Sequence, residues 1–152
     1  MDSVAAGETP TLREEFVCFK LKLAPSKIHR WGIYAAEPIP KYRKVIEYTG
    51  ERISRAETKR WADARKLNYL FTLDSYWTLD GAVGGSGAQY INHCCDPNVE
   101  ARIVKGHILY MSRRNIKRGE ELTIDYHFDK EVEKVPCRCG SLKCRGTINL
   151  TA

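Results

Sequence analysis

The chain has 152 residues, which predicts a single domain that buries roughly 70% of its unfolded surface. Hydrophobic residues make up 43% of the chain and charged residues 29%, as is ordinary for a globular protein. No apolar run is long enough to span a membrane, and the first fifteen residues lack the hydrophobic segment of a signal peptide. The formal net charge of +6 allows an acidic partner such as DNA or a nucleosome surface without requiring one.

The pattern of apolar residues predicts short strands along most of the chain. In chain order, the strands are expected at residues 16–23, 45–51, 69–73, 76–80 and 103–111. The polar Asp74-Ser75 link predicts one hairpin, and Lys105-Gly106 is expected at the tip of another. Residues 115–121 are predicted to form a turn before the last strand. Short strands at regular spacing with one helix indicate an α+β domain that is predominantly β.

One helix is also predicted, and one glycine position has two interpretations. The helix begins at Ser54, because Ser54 and Glu57 form a capping box, and it runs to about Lys66. Its basic residues are expected to face solvent, and contact with nucleic acid is the alternative interpretation. Gly32 lies between bulky residues, which is typical either of a backbone that approaches another group or of a plain hairpin turn.

Six cysteines without an export signal indicate a reducing, intracellular compartment, and therefore metal ligands or free thiols over disulfides. Cys137, Cys139 and Cys144 lie within eight residues around Gly140, as in a tight metal loop. Three thiolates do not complete a structural zinc site, which is tetrahedral and closed. On these residues alone the fourth ligand is one of Cys18, His93, Cys94, Cys95 and His127. Three unrelated thiols are the alternative.

Two further motifs precede this cysteine cluster. They are Asn92-His93-x-Cys95-x-Pro97-Asn98 and Glu121-Leu122-Thr123-x-Asp125-Tyr126. Together, in this order and spacing, the three motifs resemble those of the SET-domain protein lysine methyltransferases, with a post-SET cysteine cluster. The resemblance covers about residues 16–150. Ile28-His29-x-Trp31-Gly32 and the C-terminal Cys-Gly-Ser-x-x-Cys-Arg-Gly tail are most similar to the trithorax/COMPASS-type branch, which methylates histone H3.

The resemblance implies a role for each matched position. Tyr126 is expected to border the transferring methyl, and Tyr69 to lie near both the cofactor and the lysine channel; these two are the expected catalytic residues. The residues expected to bind S-adenosylmethionine, and its product S-adenosylhomocysteine, are His29, Trp31, Tyr69, Asn92, His93, Arg138 and Ile148. The family also favours Cys95 as the fourth ligand, so that one structural Zn²⁺ is held by Cys95, Cys137, Cys139 and Cys144.

Two positions depart from the family pattern. Arg30 replaces a glycine that many members carry, which leaves the path of the cofactor loop open. Ile124 stands where many members have the Tyr or Phe that governs how many methyls are added. The number of methyls is therefore not predicted.

Methyl transfer to lysine needs a neutral amine, whereas free lysine has a pKa of about 10.4. An apolar aromatic channel ending at a positive sulfonium disfavours the ammonium by desolvation and like charge, and it also aligns nitrogen and methyl. The candidate aromatic residues are Tyr48, Tyr69, Tyr76, Tyr90, Tyr126 and Phe128. The alternative interpretation, that most of these are core residues of strands, is the more common case.

The resemblance implies a SET-domain fold of several small sheets, in which a C-terminal strand threads the central loop like a pseudoknot. The expected layout is a flexible tail over 1–15, a SET catalytic domain over 16–129 and a zinc-bound post-SET segment over 130–152. The expected function is methylation of lysine in a basic protein, a histone H3-like tail; the alternative is a non-catalytic zinc-stabilised module that binds protein or nucleic acid. Activating partner proteins and nucleosomal DNA are the expected partners. The expected location is the nucleus or chromatin in a eukaryote and the cytoplasm otherwise.

Overall fold

The computed structural model of the chain describes residues 10–58, 69–127 and 134–150. These residues form ten short strands and two short 3-10 turns, Glu14–Phe16 and Ala88–Tyr90. The strands are β1 (Leu21–Pro25), β2 (Trp31–Ala35), β3 (Lys44–Tyr48), β4 (Glu51–Ser54), β5 (Leu70–Thr72), β6 (Trp77–Asp80), β7 (Asn92–His93), β8 (Val99–Val104), β9 (His107–Ser112) and β10 (Thr123–Ile124).

The strands are distributed over four small sheets. β1 and β2 form an antiparallel pair, while β3-β9-β8 and β4-β6-β5 are antiparallel three-stranded sheets. The fourth sheet is a two-residue parallel pairing of β7 with β10, which places Thr123 opposite Asn92 and Ile124 opposite His93. The predicted fold class, a predominantly β domain of several small sheets, is confirmed.

Both predicted hairpins are present. In the β5–β6 hairpin, Asp74 Oδ1 accepts hydrogen bonds from the backbone N–H groups of Tyr76 (2.8 Å) and Trp77 (2.7 Å), which turns the chain. At the tip of the β8–β9 hairpin, Lys105 and Gly106 have φ of 49° and 81°. Two consecutive positive φ angles are typical of the tight turns whose twist matches that of paired strands.

The strand predicted over 16–23 is wrong in position, since the strand there is β1 at Leu21–Pro25. Val17 instead forms an isolated bridge with Ile46, and the backbone N–H of Cys18 donates to the Val45 carbonyl at 2.9 Å. The chain then bends before entering β1. The alternating pattern therefore spans two separate pairings, one with β3 and one with β2.

The predicted helix is described only at its start. Residues 55–58 are helical, and Ser54 Oγ accepts the Glu57 backbone N–H at 3.2 Å, as an N-terminal cap does. The rest of the predicted helix, with most of its basic residues, lies outside the described residues. In the described part of the chain, no helix is long and apolar enough to cross a membrane.

The hydrophobic core joins the sheets and supports the site. Its fully buried members include Ile33 of β2, Val45 and Ile46 of β3 and Ile108 of β9. Burial of each such side chain contributes roughly 1.5–3 kcal/mol. Buried tyrosines from β3 and β9 continue this core toward a cleft, so the packed centre of the domain also forms the base of the site described next.

Candidate functional site: an aromatic cleft beside a polar loop and a cysteine cluster

The parallel β7–β10 pairing brings the two central motifs together. Asn92 on β7 is buried, and its Nδ2 donates to the backbone carbonyls of His29 (3.2 Å) and Trp31 (2.9 Å) and to Glu121 Oε2 (2.9 Å). The loop before β2 is thus held against the start of the second motif. Three stretches that are distant in the sequence, each predicted to bind the cofactor or to adjoin it, meet at this one side chain.

Glu121 and Ser26 complete this network, although no role was predicted for either residue from the sequence. Ser26 Oγ lies 2.9 and 2.8 Å from the two Glu121 carboxylate oxygens. A Cβ added at Gly32 would lie 2.5 Å from Glu121 Oε2 and 2.9 Å from Ser26 Cβ. The predicted close approach at Gly32 is therefore confirmed. The signal for Glu121 was its place in the second motif, whereas nothing in the sequence marked Ser26.

Asn98 is another member of the first motif whose role emerges only from the structure. Its buried side chain accepts the Thr123 N–H at Oδ1 (2.9 Å) and donates from Nδ2 to the Glu121 carbonyl (2.9 Å). Because this amide side chain both accepts from a backbone N–H and donates to a backbone carbonyl, it adds two hydrogen bonds beside the short β7–β10 pairing. Asn98 is thus a positioning residue for the second motif.

His93 links the central motif to the residues around Tyr126. Its Nδ1 accepts the Tyr126 backbone N–H at 3.1 Å, so the ring proton of the neutral imidazole lies on Nε2, 3.5 Å from Cys95 Sγ. Burial lowers the pKa of His93 to about 4, although the Asp125 carboxylate acts in the opposite direction. The side chain is therefore neutral near pH 7, where it positions Tyr126 instead of carrying charge.

An ion pair joins the second motif to the C-terminal segment. The Arg145 guanidinium contacts the Asp125 carboxylate through two hydrogen bonds of 2.7 and 3.2 Å, and both side chains are largely buried. The same guanidinium donates to the carbonyls of Ile148 (2.6 Å) and Asn149 (3.2 Å). This bidentate geometry fixes the segment that carries Ile148 beside the motif that ends in Tyr126.

A cleft of about 1020 Å³ opens beside these motifs. Its aromatic wall consists of Tyr48, Phe71, Tyr110 and Tyr126, with ring centroids of the first three 5.2–6.1 Å apart. The Tyr126 hydroxyl points inward and donates to the Ile91 carbonyl at 2.9 Å, whereas 40% of the residue is exposed. Phe71 and Tyr110 were not among the predicted aromatic candidates. In a strand with alternating apolar residues, the sequence does not distinguish an aromatic residue that lines a cleft from one in the core.

The tyrosines of this wall show that the cleft disfavours charge. Burial raises the pKa of Tyr126, with a further rise from the nearby Glu121 carboxylate, and burial also raises the pKa of Tyr48 and of Tyr110. All three hydroxyls therefore stay neutral near pH 7. Two carboxylates, Glu100 and Asp125, line the same cleft.

The remaining predicted site residues differ in how closely they approach the cleft. Tyr69 packs edge-on against Tyr90 (5.7 Å), and its carbonyl accepts the Tyr48 hydroxyl, although the lining itself includes Leu70 and Phe71. Tyr76 is exposed and packs on Trp77, away from the lining. Arg138 is exposed between two cysteines, and Phe128 lies outside the described residues.

Four cysteines converge beside His93. The Sγ atoms of Cys95, Cys137, Cys139 and Cys144 all lie within 4.8 Å of one another, with Cys95 and Cys137 3.7 Å apart. Four thiolates around Zn²⁺ at 2.3 Å would be separated by about 3.8 Å. Cys18 is exposed and Cys94 buried outside this group. The four-cysteine arrangement fits a closed tetrahedral metal site.

The fold and these motifs define a SET domain. The SET domain family matches residues 30–127, and the chain belongs to that family. It is 40% identical over 141 residues to "Histone-lysine N-methyltransferase, H3 lysine-4 specific" of Yarrowia lipolytica, covering 85% of this chain and 12% of that protein.

Two animal proteins show the same level of similarity. Trithorax of Drosophila melanogaster is 41% identical over 132 residues, or 82% of this chain and 4% of that histone-lysine N-methyltransferase. Human histone-lysine N-methyltransferase SETD1B is 40% identical over 139 residues, or 86% of this chain and 7% of that protein. The chain therefore spans only a small part of the length of each of these relatives.

Proposed function

We propose that the chain is the catalytic domain of an S-adenosylmethionine-dependent protein lysine N-methyltransferase that acts on an H3-like histone tail in chromatin. Relatives about 40% identical over most of this chain are histone-lysine N-methyltransferases by name. Activating partner proteins belong to the same proposal.

The observation that carries the proposal is the aromatic cleft with its inward Tyr126 hydroxyl. An environment that raises the pKa of three tyrosines by burial penalises an ammonium as well, and it therefore lowers the pKa of a lysine inserted there. The neutral amine needed for attack becomes accessible near pH 7. Glu100, which lines the cleft, would attract the cationic tail, whereas the Asp125 charge is already paired with Arg145.

We propose that the cofactor binds at the loop that Asn92 anchors. Arg30, at φ 33°, makes a tight turn between His29 and Trp31, whose carbonyls Asn92 holds in place. The residues proposed to hold the cofactor are His29, Trp31, Tyr69, Asn92, His93, Arg138 and Ile148. When bound, S-adenosylmethionine supplies an electrophilic methyl on a sulfonium. The chain orients the amine and excludes water around it.

We also propose one structural Zn²⁺ on Cys95, Cys137, Cys139 and Cys144. Zinc there would join the C-terminal segment to the central motif, in parallel with the Asp125–Arg145 pair. The layout proposed with it is a tail over 1–15, a SET catalytic domain over 16–129 and a post-SET segment over 130–152. Within the tail over residues 1–15, the Arg13 backbone N–H donates to the Ser86 carbonyl at 2.9 Å.

The test is transfer of labelled methyl from S-adenosylmethionine to core histones and to an H3-tail peptide, read by intact mass. Tyr126→Phe should lower turnover roughly 100-fold, because one oriented group at the reacting centre is lost, and leave S-adenosylhomocysteine affinity within about twofold. Tyr76→Phe, at an exposed tyrosine outside the cleft, is the matched control and should keep full activity. Cofactor binding without transfer to any histone would favour the non-catalytic binding module instead.

A further inference from the structure

A dense group of positive charges lies on two loops beside the cleft. The segments 38–44 and 112–119 contain no acidic residue. Their seven cations, here named the basic loop pair, are Lys41, Arg43, Lys44, Arg113, Arg114, Lys117 and Arg118. Because the whole chain carries +6, the residues outside this group carry a formal charge of −1. The net positive charge of the protein is therefore concentrated in two short segments of the sequence.

The fold makes these two segments one surface. Ser112 Oγ donates to the Pro40 carbonyl at 2.7 Å and accepts the Arg43 backbone N–H at 2.9 Å. Asn115 Oδ1 accepts the Lys41 backbone N–H at 2.9 Å, and Ile39 pairs with Ile116 in a β-bridge. Hydrogen bonds between the loops therefore hold together the two backbone segments that carry the charges. Six of the seven cations are exposed, and Lys44 is half-buried.

An acidic side chain adjoins this surface, since the Glu120 carboxylate accepts the Lys117 backbone N–H at 2.6 Å, but the cationic side chains themselves lack ion-pair partners among the described residues. In the described parts of the chain, no carboxylate lies within 4.0 Å of any cation of the basic loop pair. The guanidinium groups of Arg113 and Arg114 both donate to the Pro97 carbonyl, at 3.2 and 3.4 Å. Two like charges sharing one acceptor repel each other, and a bound anion would relieve that repulsion.

An exposed aromatic residue lies within the same surface. Tyr42 has φ 64°, a left-handed conformation that is uncommon for a bulky residue, and it is held by a 2.9 Å hydrogen bond to the Ser112 carbonyl. It is 64% exposed, with Lys41 Nζ 4.6 Å from the ring centroid. A backbone that tolerates strain to present an aromatic ring among cations is typical of a binding surface.

The geometry points to the basic loop pair as a surface that binds the phosphate backbone of double-stranded DNA, next to the mouth of the cleft. Arg113 lines the cleft and belongs to the pair, so the two surfaces are continuous. Loops without a projecting helix or strand contact phosphates and do not read bases, so binding is independent of sequence. The choice of DNA rests on the proposed function, since a histone tail leaves the nucleosome beside DNA.

The test compares two triple variants of the full chain with equal charge change. Lys41→Gln/Lys117→Gln/Arg118→Gln removes three charges of the basic loop pair outside the cleft. Lys22→Gln/Lys105→Gln/Lys134→Gln removes three exposed charges elsewhere. Binding of a labelled 20-base-pair duplex is measured against salt concentration, with equal-length single-stranded RNA and an acidic peptide as competitors.

The first variant should weaken duplex binding at least about tenfold and reduce the slope of log K against log[salt] by about 2 to 3, while the dispersed variant changes both far less. Methylation of free H3 peptide should stay unchanged in both, and methylation of nucleosomes should fall only in the first. Equal loss in the two variants, no duplex binding at low salt, or preference for RNA or the acidic peptide would overturn the inference. Failure of peptide methylation in the wild type would instead overturn the proposed function.

Discussion

Ile124 occupies the cleft position expected to influence how many methyls are added. The side chain is 4% exposed and lines the cleft, as do Tyr48 and Tyr126. Isoleucine offers no hydroxyl and less volume than an aromatic ring. A branched aliphatic side chain therefore lines this part of the cleft.

We predict that Ile124→Tyr shifts the products toward fewer methyls per lysine, because the larger ring occupies room needed by an already methylated amine. Intact mass of an H3-tail peptide at complete reaction measures this. Ile124→Val, which keeps the aliphatic shape, is the control. Melting temperatures of both variants check for overpacking, which costs about 1–3 kcal/mol. An unchanged product distribution in Ile124→Tyr would contradict the prediction.

Asp125 contributes to stability through Arg145, which lowers the pKa of the carboxyl despite the opposing effect of burial. We expect Asp125→Asn to lower the free energy of unfolding by about 2 kcal/mol at pH 7, measured by urea denaturation. A carboxyl with a depressed pKa in the folded state stabilises above its unfolded pKa of about 3.9, and this contribution is lost as pH falls through the folded pKa. The difference from wild type should therefore vanish in acid.

A second ion pair serves as the control for Asp125→Asn. Arg13 and Glu15 are 2.6 Å apart but exposed, so Glu15→Gln should change the free energy of unfolding by less than about 1 kcal/mol. A difference between wild type and Asp125→Asn that stays constant from pH 7 to pH 3 would show that the substitution acts through packing and not through charge.

At the scale of elements, the close packing of Gly32 against Glu121, near the start of β2, determines the path of the proposed cofactor loop. We predict that Gly32→Ala weakens S-adenosylhomocysteine binding about tenfold, since the new methyl would displace Glu121 from its bonds to Ser26 and Asn92. Isothermal calorimetry measures the affinity. Ala24→Ser, at the residue paired with Gly32 across β1 and β2, is the control. Equal affinity in wild type and Gly32→Ala would contradict the inference that Glu121 positions this loop for cofactor binding.

The strands and hairpins show what local sequence predicts. The Lys105-Gly106 tip and the Asp74-Ser75 turn were predictable, because turn chemistry acts over a few residues. The strand at 16–23 was misplaced, since alternation does not show that pairing passes from β3 to β2. The resemblance to SET domains implied that the motifs containing Asn92 and Tyr126 come together in the fold. No local sequence pattern predicted the contact of Ser26 with Glu121 or the Asp125–Arg145 pair, because the partners are far apart in the sequence.

At the scale of the whole molecule, Arg145 holds the C-terminal segment, and the proposed zinc on the four cysteines would hold it at a second point. We predict that Cys139→Ser loses bound zinc and makes residues 134–150 sensitive to protease, because a structural metal supplies folding free energy. Native mass spectrometry counts the metal, and limited proteolysis probes the segment. Cys18→Ser, at an exposed thiol outside the cluster, should keep both properties. Full zinc content in Cys139→Ser would exclude the proposed site.

The two-residue pairing of β7 with β10 also determines when the site forms during folding. Residues 92 and 123 are separated by the β8–β9 hairpin, a local element that closes first and shortens the loop still to be closed. Until residue 126 has been synthesised and β10 has paired, neither the aromatic wall nor the anchored loop is complete. We therefore expect a chain emerging from the ribosome to complete its site only after residue 126 has been synthesised.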